Sequence, residues 1–199
     1  MAFNSAYKRW HKPNMSENAK TRQGYYKVQN VNKYIGDPNL VIYRSSWEYS
    51  FCRWCDYSPS IIRWGSEPMH IPYYDRVSKL EECKKYGLDP NDPKNWVIKN
   101  YHTDFWIEID KGNEKSERIF IDIKPAIKLK KPIPPNYNAS LKEQKKFVID
   151  SKEYLINEAK FAAMSAYAEK NNMKFFIFTE ETLRKMGILG GKFDYPFLK

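Results

Sequence analysis

Ile119-Phe120-Ile121-Asp122-Ile123-Lys124-Pro125 is the stretch whose reading decides the fold. Side chains alternate along a strand, so Ile119, Ile121 and Ile123 share one face and Phe120, Asp122 and Lys124 share the other. The isoleucine face suits a core. The opposite face sets an acid and a lysine side by side, and Pro125 stops the strand because it has no amide hydrogen to pair. A carboxylate can hold a hard metal ion, and an ammonium can orient a nucleophile or neutralise a developing anion. One such pair is not a site, so its partners must come from elsewhere in the chain.

The neighbouring segment supplies the first. Tyr101–Ile109 reads as a strand, Asp110–Ser116 as a polar turn and Glu117–Lys124 as the returning strand of an antiparallel hairpin. A turn centred on Asn113 sets Asp104 directly opposite Asp122, and directly opposed residues share a face. Upstream, Ser45-Ser46-Trp47-Glu48 opens a helix that runs to Tyr57 and is stopped by Ser58-Pro59. Trp47, Phe51, Trp54 and Cys55 follow the stripe of a core-facing helix, with Glu48 in its first turn.

Each of these residues also has a structural reading. Ser45 and Glu48 have the spacing of a capping box, in which the glutamate reaches back to the N-cap amide. Asp122 and Lys124 read equally as an exposed strand pair. Glu67 is either support for the site or a surface strand glutamate. His102, two residues from Asp104, either touches substrate or packs.

The chain has 199 residues, with 34 Lys+Arg against 24 Asp+Glu, a formal charge of +10. That excess favours a polyanionic partner, nucleic acid first. Aromatic and aliphatic residues are abundant enough for a core, which excludes global disorder. Three cysteines argue against a disulfide framework, and three scattered histidines give no zinc spacing beside Cys52-Arg53-Trp54-Cys55. No run of apolar residues is long enough for a membrane span.

Residues 1–36 are basic and aromatic without periodicity and read as an N-terminal arm, either a solvated terminus or one that lies on nucleic-acid backbone, with Lys8, Arg9 and Lys12 as candidate DNA contacts. Residues 37–199 then form one domain. Residues 75–100 read as a loop insertion because of Asp89-Pro90-Asn91-Asp92-Pro93, with a short charged helix at 78–86. The proline-rich connection at 125–136 carries Lys128, Lys130 and Lys131, candidate phosphate contacts as well as a solvated linker. From Ser140 the sequence turns helical and charged, and an amphipathic helix is expected over Glu153–Asn171, with Ala159, Ala162, Ala163, Ala166 and Tyr167 toward the core. Lys174–Thr179 is a strand, and Thr179 caps a last helix that Gly187 stops.

Glu48 on a helix, His102-Thr103-Asp104 and Asp122-Ile123-Lys124 together resemble the signature of the PD-(D/E)xK nucleases, the restriction-endonuclease-like fold. Further blocks are Tyr43-Arg44-Ser45-Ser46-Trp47-Glu48, Trp64-Gly65-Ser66-Glu67, Ile71-Pro72-Tyr73, Asp104-Phe105-Trp106 and Lys124-Pro125. With Lys160-Phe161-Ala162-Ala163, Lys174-Phe175 and Phe178-Thr179-Glu180, these are similar to the head-completion nucleases of T-even-like contractile-tailed phages. They also resemble, more distantly, the TnsA-type transposase endonucleases.

The resemblance implies an α/β (α+β) fold, a mixed β-sheet flanked by helices, and DNA cleavage dependent on Mg²⁺, with Mn²⁺ substituting. Asp104 would be the central metal ligand, Asp122 the second, Glu48 a helix-borne ligand and Lys124 the catalytic lysine. It also implies double-stranded DNA and portal or other head-completion proteins as partners. The expected location is the host cytoplasm or the phage head and neck, away from membrane. Thr103 stands where the family often has proline, Asp122 is one methylene shorter than the commoner Glu or Gln, and the 75–100 insertion has no counterpart. Two other readings stay open: a basic, non-catalytic DNA-binding connector, and a TnsA-like transposase subunit.

Overall fold

The computed structural model describes residues 12–16 and 21–194. Lys8 and Arg9 lie outside the described residues, and Lys12 is exposed. The chain divides into two compact units. One comprises residues 1–70, 102–124 and 168–199, the other 71–101 and 125–167.

The first unit is built on a four-stranded mixed sheet. Its strands are β3 (Ile61–Ser66), β6 (Phe105–Asp110), β7 (Ser116–Ile123) and β8 (Lys174–Phe178), in the order β3-β6-β7-β8. β3 and β7 run antiparallel to β6, and β8 runs parallel to β7. The β6–β7 hairpin pairs Phe105 with Ile121 and Asp110 with Ser116, the register expected from a turn centred on Asn113. Asn113 and Glu114 both adopt positive φ in that turn.

β7 is an inner strand, and this changes the reading of its faces. Ile119, Phe120, Ile121, Asp122 and Ile123 are all buried, so neither face of Asp122's strand meets solvent. The exposed-pair reading of Asp122 fails for that reason.

Helix α1 (Ser46–Tyr57) begins at Ser45, whose hydroxyl accepts the amide hydrogen of Glu48. Phe51 and Cys55 of the expected stripe are fully buried, as is Cys52, while Trp47 and Trp54 are half-buried against the core. Phe51 packs against Phe105 of β6, with ring centroids 4.7 Å apart, and against Phe178 of β8 at 6.0 Å. The last helix, α4 (Glu180–Lys185), is capped by Thr179 and ends before Gly187 at positive φ.

The arm does not reach residue 36. β1 (Gly24–Tyr25) pairs with β2 (Ile42–Tyr43), and Tyr26, Val28 and Tyr34 belong to the hydrophobic core. Buried Asp56 accepts hydrogen bonds from the Tyr26 hydroxyl and the amides of Gln29 and Asn30. Aperiodic sequence concealed this segment because it is held by single anchors rather than by a face.

The second unit contains β4 (His70–Asp75) from Ile71 onward, α2 (Leu80–Tyr86), β5 (Val97–His102) as far as Tyr101, and α3 (Leu141–Lys170) up to Tyr167. β4 and β5 form a two-stranded sheet; within the insertion read over 75–100, α2 forms where the short charged helix is expected, while the start of β5 is strand rather than loop. Lys160 lies over the rings of Tyr73 and Tyr101, which seats α3 on that sheet. α3 starts at Leu141, where the sequence turns helical and charged, and continues through the amphipathic stretch as one helix to Lys170. Its buried residues are Asn157, Met164 and Ala168, whereas Ala162 and Ala166 are exposed. Alanine marked good helix-forming sequence there, not the buried face.

Asp75 ends β4 with a buried carboxylate that accepts from the amides of Val77 and Ser78, the Ser78 hydroxyl and the Lys99 ammonium. Burial alone would raise its pKa, but these donors outweigh burial and hold it at about 2. The folded value is below the unfolded one, so the stabilisation is present above about pH 4 and is lost as pH falls through 2. Asp75→Asn is expected to lower stability at pH 7 by roughly 2 kcal/mol. In urea titrations the gap between variant and parent should close as pH drops toward 2; a gap independent of pH would refute the assignment.

Candidate active site

Asp104 sits at a break between strands. The strand expected over Tyr101–Ile109 is two strands, β5 and β6, interrupted at Thr103–Asp104. The interruption comes from what Asp104 binds. Its carbonyl accepts the amide of Glu67 at 2.8 Å, on the β3 side. Its carboxylate Oδ2 accepts the amide of Ile123 at 2.6 Å, on the β7 side. A side chain thus replaces a main-chain partner where the β6–β7 ladder ends.

The next amide of the strand, that of Lys124, donates to the Phe178 carbonyl of β8. Both neighbours therefore fix the backbone from which Asp122 and Lys124 project. Lys124 Nζ lies 2.9 Å from Asp122 Oδ2 and 3.7 Å from Asp104 Oδ2. Asp122 is fully buried, and the ammonium forms an ion pair with its Oδ2. Its other oxygen, Oδ1, has no hydrogen-bond partner.

Glu48 arrives from α1. Phe51 rests on Phe105, so the residue one helical turn earlier comes beside Asp104. The capping reading holds in altered form. Glu48 Oε1 accepts from the Ser45 hydroxyl, and Oε2 accepts from the amide of Arg44, one residue before the N-cap. Capping and site geometry are one arrangement here, because the cap fixes where the carboxylate stands. Burial is the main reason the Glu48 carboxyl is pushed up to about 7; the Arg44 and Ser45 hydrogen bonds and Lys124 pull it down, and Glu67 adds repulsion.

Burial, then the charge of Asp122, pushes the Asp104 carboxyl well above the usual carboxylate range, against the pull of Lys124 and the Ile123 amide. Burial opposes the charge on Lys124, but Asp104, Asp122 and Glu48 outweigh it and hold the ammonium above its ordinary value.

Glu67 follows β3 at positive φ (42°) and pairs with Arg44, Nε to Oε1, at 2.6 Å. His102 ends β5 with its ring 5.6 Å from that of His70. Buried Thr103 shapes the break between β5 and β6. Lys128 belongs to the second unit, where it pairs with Glu153 and Asp150, while Lys130 and Lys131 are exposed beside it. Sequence reasoning passed over Arg44; its one signal was a basic residue just before a capped helix that carries a candidate ligand.

Four carboxylates (Glu48, Glu67, Asp104 and Asp122) thus gather with two cations, Arg44 and Lys124. An all-oxygen donor set of this kind, with Asp122 Oδ1 buried and without a hydrogen-bond partner, is of a chemistry that could hold a hard divalent cation. Among the described residues no three ligand-type side chains are already drawn together at metal-binding geometry. The Lys124 ammonium stands between the two aspartates instead.

A helix-borne glutamate, an aspartate at a strand break and an Asp-x-Lys on the inner neighbouring strand stand in the order in which the restriction-endonuclease-like nucleases carry their signature. Residues 58–180 match the TnsA-like endonuclease N-terminal family. The head completion nuclease of Enterobacteria phage T4 is 34% identical over 167 residues, covering 84% of this chain and 97% of that protein. The chain belongs to the TnsA-like endonuclease family and is a nuclease with a restriction-endonuclease-like core.

Asp104 is held in a position where ionisation opposes folding, because its folded pKa is raised and stability falls as pH rises through that value. Asp104→Asn keeps an acceptor for the Ile123 amide and removes the charge. Without divalent cations it is expected to melt about 2–4 °C above the parent at pH 8, roughly 1 kcal/mol, with the gain shrinking in acid. Thermal melts in chelator across pH check this; a lower melting point at pH 8 would contradict it.

Proposed function

We propose that this nuclease hydrolyses phosphodiester bonds of double-stranded DNA with Mg²⁺ or Mn²⁺, and that it acts on DNA at a phage head before the tail joins. The observation that carries the chemistry is the Lys124 ammonium between Asp104 and Asp122. The T4 relative's name and the extent of the match support the setting. The formal charge of +10 suits a polyanionic substrate.

Asp104 and Asp122, with Glu48 from the helix, would hold the cation. Bound there, it supplies a water of lowered pKa and positive charge against the phosphate oxygens. The protein's own groups do the rest. Lys124 stays charged and lies where negative charge would develop on the phosphate, so it stabilises the transition state or aligns the attacking water. Asp122 holds that ammonium in place. The Ser45 hydroxyl and Arg44 amide fix the Glu48 carboxylate, which limits reorganisation when substrate arrives. Asp122, one methylene shorter than glutamate, reaches less far from its strand, and complete burial fixes where it stands.

Supercoiled plasmid is expected to be nicked or linearised in Mg²⁺ or Mn²⁺ and to stay intact in chelator. Asp104→Ala and Lys124→Ala should each lower the rate roughly a hundredfold or more with circular dichroism unchanged. Robust cleavage by either variant would overturn the site assignment. Phage carrying the Asp104→Ala allele should accumulate filled heads and unjoined tails, visible by electron microscopy. Normal joining would remove the head-completion role and leave the nuclease.

A further inference from the structure

Arg44 and Glu67 are buried or half-buried charges that the chemistry above does not use. They belong to a closed chain of contacts around the site. The Asp104 carbonyl accepts from the Glu67 amide, Glu67 Oε1 pairs with Arg44 Nε, and the Arg44 amide donates to Glu48 Oε2. Glu48 and Asp104 then act on one another through space. The guanidinium is therefore tied by its own main chain to one candidate ligand, and through Glu67 to the main chain of another.

Three features distinguish this from a neutralising surface pair. The carboxylate is inside, with its side chain 10% exposed, while the guanidinium side chain is 32% exposed. Its other oxygen, Oε2, is buried with no hydrogen-bond partner. Glu67 also occupies positive φ, where glycine or asparagine would fit without strain, and strain of this kind persists where the surrounding structure enforces it. An exposed ion pair would justify neither the strain nor the burial.

The site has an electrostatic need that this pair meets. Four carboxylates repel an incoming phosphate, and Lys124, which serves the reacting phosphate, shares its charge with Asp122 and Asp104 and leaves the flanking backbone phosphates without a cation of their own among the side chains gathered there. We propose that Arg44 contacts a backbone phosphate of the DNA strand at the site, and that Glu67 is the positioning residue that sets its guanidinium. The proposal rests on the reading of DNA as substrate. Arginine suits the role because its planar fork matches phosphate oxygens, a geometry that lysine lacks.

The test measures binding of a duplex oligonucleotide to the full chain in an Asp104→Ala background, as a function of salt, and steady-state cleavage in the otherwise native chain. Arg44→Ala and Arg44→Lys should each weaken binding roughly tenfold, and Arg44→Ala should lower the salt slope by about one, the loss of one phosphate contact. Glu67→Gln keeps the shape and an acceptor for Nε. It should raise KM with kcat nearly unchanged and recover much of what Glu67→Ala loses. Unchanged affinity and salt slope in both Arg44 variants, with melting temperature within 2 °C of the parent, would overturn the proposal. If either Arg44 variant unfolds, the Glu67→Gln kinetics decide, and an unchanged KM overturns it. A phosphate contact found alongside active Asp104→Ala and Lys124→Ala variants would keep the clamp and refute the catalytic assignment. No duplex binding by the Asp104→Ala background itself would refute both.

Discussion

The hydrogen bond from the Ile123 amide to the Asp104 carboxylate is the contact on which the rest of the site depends. It puts a charged side chain where a sheet would normally place a carbonyl. The Asp104 carbonyl is at the same time committed to Glu67. One residue therefore ties the ends of β3, β6 and β7 together. The strand break at Thr103–Asp104 follows, and so does the direction in which Asp122 and Lys124 leave β7. A residue with no acceptor side chain at this point would leave the Ile123 amide buried and unpaired, a loss of the order of 1–3 kcal/mol.

Charge is concentrated where hydrophobic packing is densest. Phe51, Phe105, Phe120 and Ile121 are fully buried in the same unit as Asp122, which is itself inaccessible. An apolar surround magnifies every interaction among Glu48, Asp104, Asp122 and Lys124, both repulsive and attractive. Aspartates held close in this way are costly to the fold without a cation, and Lys124 supplies part of the balance. Arg44 supplies another part through Glu67. Such a site stores electrostatic energy at the expense of the fold, a familiar conflict between stability and activity.

Helix α1 shows how local and tertiary requirements meet in the same residues. Ser45 starts the helix, and Glu48 completes the cap by reaching Arg44 rather than Ser45's own amide. The shift by one residue makes Arg44 part of the site through its main chain as well as its side chain. Capping alone would have been satisfied by the ordinary arrangement. Packing of Phe51 on Phe105 chooses where the capped end lands.

By itself the sequence determined the hairpin register, the α1 cap and the Thr179 cap. These depend on local signals: period-two alternation, turn chemistry and cap spacing. The Asn113 turn fixed the ladder from Asp110–Ser116 to Phe105–Ile121, whose end brings Asp104 and Asp122 together, because antiparallel pairing leaves little freedom once a turn is set. Tertiary structure decided the burial of both faces of β7, since being an inner strand depends on β8, more than 50 residues downstream. It decided that residues 24–34 join the core, where single anchors such as Tyr26 on Asp56 leave no periodic trace. It also decided the break at Asp104 and the pairing of Arg44 with Glu67, because both join residues distant in sequence through contacts that no spacing rule encodes.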